Sequence, residues 1–282
     1  MSSDLLVLGH VPWTPIGQAC GAVPGVRLGA AGELAGHRAA SRKPTGIVVG
    51  PGDDPQRSAR VAAAVGVPVL IEPVGALTAA DITELLATAE MSGASLFAGF
   101  RRRFEPDVRW SRGTVAAGGI GLTWGVHAEV LRSRAADPVT EALDLLDTLS
   151  LISGCVPTSI SRFDRGRGAP VVLNVLLDHG TSGHVVVRAA EGELPSGPEL
   201  GTFRVMGSHG TVAGDLDLPG QTLTIDGSVS HERVGADGAT RLVAAFLAIA
   251  AGAPGPRPVE LRGAIRDIGL LATVSRRGRG SR

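Results

Sequence analysis

The 282-residue chain has no tyrosine, a single lysine (Lys43) beside 26 arginines, and only two cysteines, Cys20 and Cys155. Without tyrosine, any mechanism that protonates a carbonyl from a phenolic hydroxyl is excluded. With one lysine, any lysine-dependent chemistry, whether Schiff base, general acid or P-loop, has the single candidate Lys43. Two cysteines cannot make a disulfide framework, and the opening MSSDLLVLGH has neither the basic flank nor the long apolar run of a secretory leader. A cytoplasmic location is the expectation. No uncharged apolar run approaches the roughly 18 residues of a membrane span. Charge of either sign is also missing in excess: 27 basic residues balance 27 acidic ones. Neither nucleic acid nor an anionic membrane is therefore expected as a partner.

What is present is a change of grammar along the chain. Residues 4–9, 26–31, 46–50, 67–72 and 95–99 are short apolar runs, most of them separated by helix-like segments, a pattern that predicts a parallel sheet with crossover helices. Asp54 and Pro55 are placed to open a helix that Gly66 stops, and Thr78 with Asp81 reads as a capping box ahead of Ile82, Leu85 and Leu86, ended by Gly93. After about residue 100, a strand over 119–130 and a helix over 137–153 precede strand-like runs at 157–163, 170–178, 183–190, 201–206, 211–216 and 221–226. Turn signals, not helices, separate these runs, which predicts an antiparallel sheet. Helices over 237–251 and from Val259 to about Ser275 close the chain ahead of RRGRGSR. The predicted fold is α/β: a doubly wound parallel sheet followed by an α+β domain with a mostly antiparallel open sheet.

The order of local motifs resembles the Gfo/Idh/MocA oxidoreductases. Gly50 to Thr78 (GPGDDPQRSARVAAAVGVPVLIEPVGALT) is similar to the family's segment of turn, helix, strand and glutamate-lysine-proline signature. FAGFRRRFEP at 97–106, FRVMGSHGTV at 203–212 and the closing helices follow in the family's order. The resemblance implies a degenerate Rossmann-like dinucleotide-binding domain over 1–100 and a substrate and oligomerisation domain over 101–275 whose closing helices pack back on the first; the Arg/Gly composition of 276–282 predicts a disordered tail. It also implies NAD(P) as cofactor and Gly9, Gly50, Pro51 and Glu72 as cofactor-binding positions. Asp137 and Glu141 stand at its catalytic positions, and Arg103 is placed to bind an anionic substrate or, alternatively, to pair with acids at the domain junction.

Several family features are replaced. Glu72 is followed by Pro73 and Val74, so the signature lysine is gone; Lys43 precedes the strand at 46–50 and would need its loop to fold over the site. In Asp137-Pro-Val-Thr-Glu141, glutamate stands where the family has histidine, exchanging a group that titrates near neutrality for a carboxyl. Glu141 reads either as a solvated first-turn residue beside an Asp137 cap, or as half of an acid–base pair. In the turn from Gly9 to Gly17 only Gly9 stands at an expected place; Pro12 and Pro15 lack an N–H, while Val11 and Trp13 add bulk. Ala30, Ala31 and Gly32 occupy the place of the ribose-binding acid, with Glu33 nearest.

His179 and His184 flank GTSG as a hairpin turn, and no metal-ligand spacing is present, so no metal is expected. The expectation is an accessory, noncatalytic oxidoreductase-like subunit that binds NAD(P) weakly or not at all. It would associate with itself or with an active paralogue through the open face of its second sheet, whose outward side chains are read as apolar. The alternative is an enzyme on a sugar-like or small-metabolite substrate, either an atypical NAD(P)-dependent oxidoreductase or a nonredox catalyst using Asp137 and Glu141.

Overall fold

A computed structural model describes residues 5–8, 15–22, 26–29, 44–50, 54–72, 74–132, 138–164, 170–189, 200–216, 221–225, 228–233, 238–264 and 267–270. Gly9, Pro51, Asp137, Lys43, the residues at the ribose-acid position and the Arg-rich tail lie outside these. The chain divides into two compact units, Met1–Arg101 with Ala239–Gly269, and Arg102–Gly238 with Leu270–Arg282. None of the described helices is long and apolar enough to cross a membrane.

The first unit is built on strands β1 (Leu5–Leu8), β2 (Val26–Gly29), β3 (Gly46–Val49), β4 (Val69–Ile71), β5 (Leu96–Ala98) and β14 (Val259–Glu260), ordered β14-β5-β4-β3-β1-β2. All pairs are parallel except β14 with β5. Strands covered on both faces need apolar side chains at every position, and β1, β3, β4 and β5 are buried throughout. The order reverses at β1, the kind of position where open α/β sheets hold their ligands.

Helix α1 spans Pro15–Gly21, α2 Pro55–Ala63 and α3 Ala79–Ser92. The capping predictions hold: the Asp54 carboxylate accepts from the Arg57 N–H at 2.8 Å, and Thr78 and Asp81 satisfy each other's backbone N–H groups at 3.2 and 2.8 Å. Gly93 ends α3 with φ 75°. Past residue 238 the chain returns to this unit, where Phe246 meets Phe97 edge to face with centroids 6.2 Å apart. A Cβ on Gly46 would lie 3.1 Å from the Phe246 ring, so glycine lets the aromatic ring approach β3. One helix prediction is corrected: Val259–Glu260 is a strand, and helical residues begin only at 261–264 and 267–270. Its apolar start resembles a helix, but the backbone hydrogen bonds available beside β5 capture it as an edge strand.

The second unit holds a 3-10 turn at Arg101–Phe104, α4 (Pro106–Ala116), β6 (Thr123–Arg132), α5 (Pro138–Ser153) and strands β7 (Pro157–Asp164), β8 (Val171–Leu177), β9 (Ser182–Ala189), β10 (Leu200–Gly207), β11 (Thr211–Leu216), β12 (Gln221–Ile225) and β13 (Ser228–Arg233). Helix α6 (Gly238–Ala250) then leads back into the first unit. The eight strands run β13-β12-β11-β10-β6-β9-β8-β7. Pairing is antiparallel except for β6 with β9, where the intervening α5 crossover lets two strands run the same way. The strand predicted from 119 starts later because Gly118 and Gly121, at φ 79° and 70°, turn the chain first.

On the inner face Val126, Ala128, Val130, Leu173, Val175, Val185, Val187, Phe203 and Val205 are buried. Helix α5 lies over β6, β8, β9 and β10, and α4 packs against α5. Val171, Leu173, Val175 and Leu177 thus face the helix. Their outward neighbours are mixed rather than uniformly apolar. Phe163 and Leu176 are exposed, but Asn174, His184, His127, Glu129, Thr202 and Arg204 share that face by register. The apolar covering expected from the alternation is therefore only partly supported by composition.

The parallel β6–β9 contact leaves no room for a side chain at Gly183, where a Cβ would run into the Val126 carbonyl. Gly183→Ala should lower unfolding free energy by about 2 kcal/mol or more. Gly113→Ala, in an exposed helical position with nothing within 4 Å of the new Cβ, should raise it by roughly 0.5–1 kcal/mol. Chemical denaturation of both variants beside the parent checks the pair.

Candidate functional site

In the second unit the FRRRFEP run and helix α5 bring together the residues singled out by sequence. Phe104 anchors the 3-10 turn in the core, and Pro106 starts α4 directly after Glu105. The turn drives Arg102 inward, where its side chain is 0% exposed. On α5, Glu141, Asp144 and Asp147 follow at i, i+3 and i+6 and so lie along one face. Arg102 bridges the first two: one guanidinium nitrogen pairs with Glu141 Oε1 and another with Asp144 Oδ2 at 2.5 Å. Arg103 takes the third in a fork, with Nε and Nη2 donating to the two carboxylate oxygens of Asp147 at 2.6 Å each.

Two of the side chains read from the sequence thus stand in ion pairs. Glu141 is not a solvated first-turn residue: its side chain is 13% exposed and ion-paired to a buried guanidinium. Arg103 pairs with Asp147, and Arg102 with Glu141 and Asp144. Asp137, the other half of the candidate acid–base pair, lies outside the described residues. Asp147 has no motif of its own; the signal that finds it is the three-residue spacing from Asp144. Burial pushes the Asp147 carboxyl above its usual value, and the hydrogen bonds and charge of Arg103 work against that rise.

In the first unit the carboxyl ends of the parallel strands form a staircase. Gly50 N–H donates to Leu8 O, Glu72 N–H to Val49 O and Gly99 N–H to Ile71 O, each at 2.8 Å. A Cβ on Gly99 would stand 2.8 Å from Glu72 Cβ and 2.9 Å from Ile71 O, so glycine lets the chain pass the glutamate. The buried Cys20 thiol on α1 is pushed up to about 12, first by burial and then by the Glu72 charge. Such a thiol is inert as a nucleophile near neutral pH. Both cysteines are free and buried.

Arg103→Leu removes the groups that oppose the upward shift of Asp147. A carboxyl whose folded value is raised binds its proton more tightly in the folded state, so its favourable contribution is present in acid and lost as pH rises through the folded value. The variant should therefore cost about 3 kcal/mol at pH near 8 and distinctly less near pH 4. Urea unfolding of parent and variant across that range checks the slope.

No family model matches the chain, and no curated protein matches it. Solved structures do. An oxidoreductase domain protein from Kribbella flavida is 18% identical with a TM-score of 0.76, over 98% of this chain and 97% of that one. An aldose-aldose oxidoreductase from Caulobacter crescentus is 16% identical with a TM-score of 0.70, over 98% of each chain. A UDP-N-acetylglucosamine 3-dehydrogenase from Acidithiobacillus ferrooxidans is 20% identical with a TM-score of 0.72, over 96% of each chain. The chain thus has the fold of these oxidoreductases, a parallel-sheet unit and a mostly antiparallel-sheet unit, and its resemblance to the Gfo/Idh/MocA proteins holds at the level of that fold.

Proposed function

We propose that this chain is an accessory, noncatalytic member of an oxidoreductase assembly, in which the fold is kept and hydride transfer is left to a partner. The observation that carries this reading is the commitment of Glu141. A proton-transfer group must reach a reacting atom, and the carboxylate at the family's histidine position is instead bound to buried Arg102 beside Asp144. The lysine that would follow Glu72 is replaced by Pro73.

The residues present also fit a dinucleotide poorly. A pyrophosphate is held by backbone N–H groups where the first strand turns into the first helix. Here α1 opens on Pro15, which has no N–H, and spans only seven residues. Pro12 removes a further donor. On this reading NAD(P) is weakly bound or not bound, and Gly9, Gly50, Pro51 and Glu72 are positions for it only by family resemblance.

A second reading draws on the neighbours, whose names specify an aldose and a UDP-sugar. Under it the second unit binds a sugar-like metabolite and Asp137 supplies acid–base chemistry, with Arg103 and Glu141 in supporting ion pairs. In the accessory reading the open sheet face carries the partner, either an active paralogue or a second copy.

Calorimetric titration with NADH and with NADPH should give no stoichiometric micromolar binding, and Glu141→Gln in the producing cells should leave the product of the assembly unchanged. Tight dinucleotide binding, or a loss of product of 10²-fold or so with an unchanged melting temperature, would make the chain an enzyme in its own right.

A further inference from the structure

On the outer face of the second sheet, β6 and β9 run parallel with His127 directly opposite His184. Neighbouring strands are about 4.8 Å apart and paired residues point to one side, so the two imidazoles rise next to each other. We propose that His127 and His184 form a two-imidazole site for a borderline divalent cation of the Ni2+, Cu2+ and Zn2+ group.

Two features support such a site. First, His184 is already oriented as a ligand. Its Nδ1 lies 2.6 Å from Oδ1 of Asn174, its register partner on β8. An amide oxygen can only accept, so Nδ1 carries the proton and Nε2 keeps a lone pair directed away from Asn174. A metal-bound histidine is usually held in this way, with its second ring nitrogen donating to a fixed oxygen.

Second, His127 is half-buried, yet among the described residues neither of its ring nitrogens makes a hydrogen bond. The nearest acceptor charge is Glu129 Oε2, 3.9 Å from Nε2, and Arg188 holds that carboxylate through Oε1 at 2.6 Å.

The neighbours set the class of ion. Arg204, opposite His127 on β10, repels any cation, while Glu129 attracts one. No group of three or more histidine, cysteine or acidic side chains able to hold a metal occurs among the described residues. Two imidazoles with water in the other positions select ions that favour nitrogen, and exclude Mg2+ and Ca2+, which require oxygen ligands.

The test is calorimetric titration of the full chain with Ni2+ at about pH 7.5 and again at about pH 5.5, since protons compete with a metal for imidazole nitrogen. The site predicts one Ni2+ per chain with micromolar affinity, at least tenfold weaker in His127→Ala and in His184→Ala, and lost at the lower pH. Asn174→Leu should weaken binding severalfold, and Asn174→Asp should restore it by again accepting from Nδ1. No saturable binding by the parent would overturn the proposal. So would unchanged affinity in the double alanine variant, or dependence on only one of the two histidines, provided the variants keep the parent's circular dichroism.

Discussion

A guanidinium with no exposed surface must be matched by charge where it lies, because removing it from water costs several kcal/mol. Arg102 meets that demand with two carboxylates one helical turn apart, Glu141 and Asp144. The arrangement ties the start of α5 to the turn before α4, and Arg103 repeats the contact one turn further along at Asp147. Once that acidic face is held, the opposite face of α5, with Leu145, Leu146, Leu149 and Ile152, covers the inner side of the eight-stranded sheet. Helix position, sheet core and the orientation of the candidate acid–base residue thus rest on one buried ion-pair cluster.

The same cluster has a chemical consequence. Histidine at position 141 could exchange protons near neutrality; glutamate there is a partner for a fixed cation. Under the accessory reading proposed above, Glu141, Pro73 after Glu72 and Pro15 at the opening of α1 are the departures expected of a fold kept without hydride transfer.

Local chemistry was legible where neighbours in sequence are also neighbours in space. The Thr78–Asp81 box, the Asp54 cap and the continuous apolar strands of the first unit can each be read from a few adjacent residues. Tertiary pairing was not. Val259–Glu260 becomes a strand only because β5 offers an edge, and β13 carries the polar run SVSHER with no apolar alternation to announce it. The acids on α5 are visible as a spacing, but which arginine each one meets depends on the turn at 101–104. His127 and His184 lie far apart in sequence, and only the parallel register of β6 with β9 makes them a pair.

The claim that Glu141 serves packing rather than proton transfer is tested most directly by a double-mutant cycle on unfolding free energy with Arg102→Met, Glu141→Gln and the combined variant. If the two side chains act as one buried pair, the single losses should be strongly non-additive, with a coupling on the order of 1.5–3 kcal/mol. Additive losses within about 0.5 kcal/mol would contradict the account and release Glu141 for chemistry.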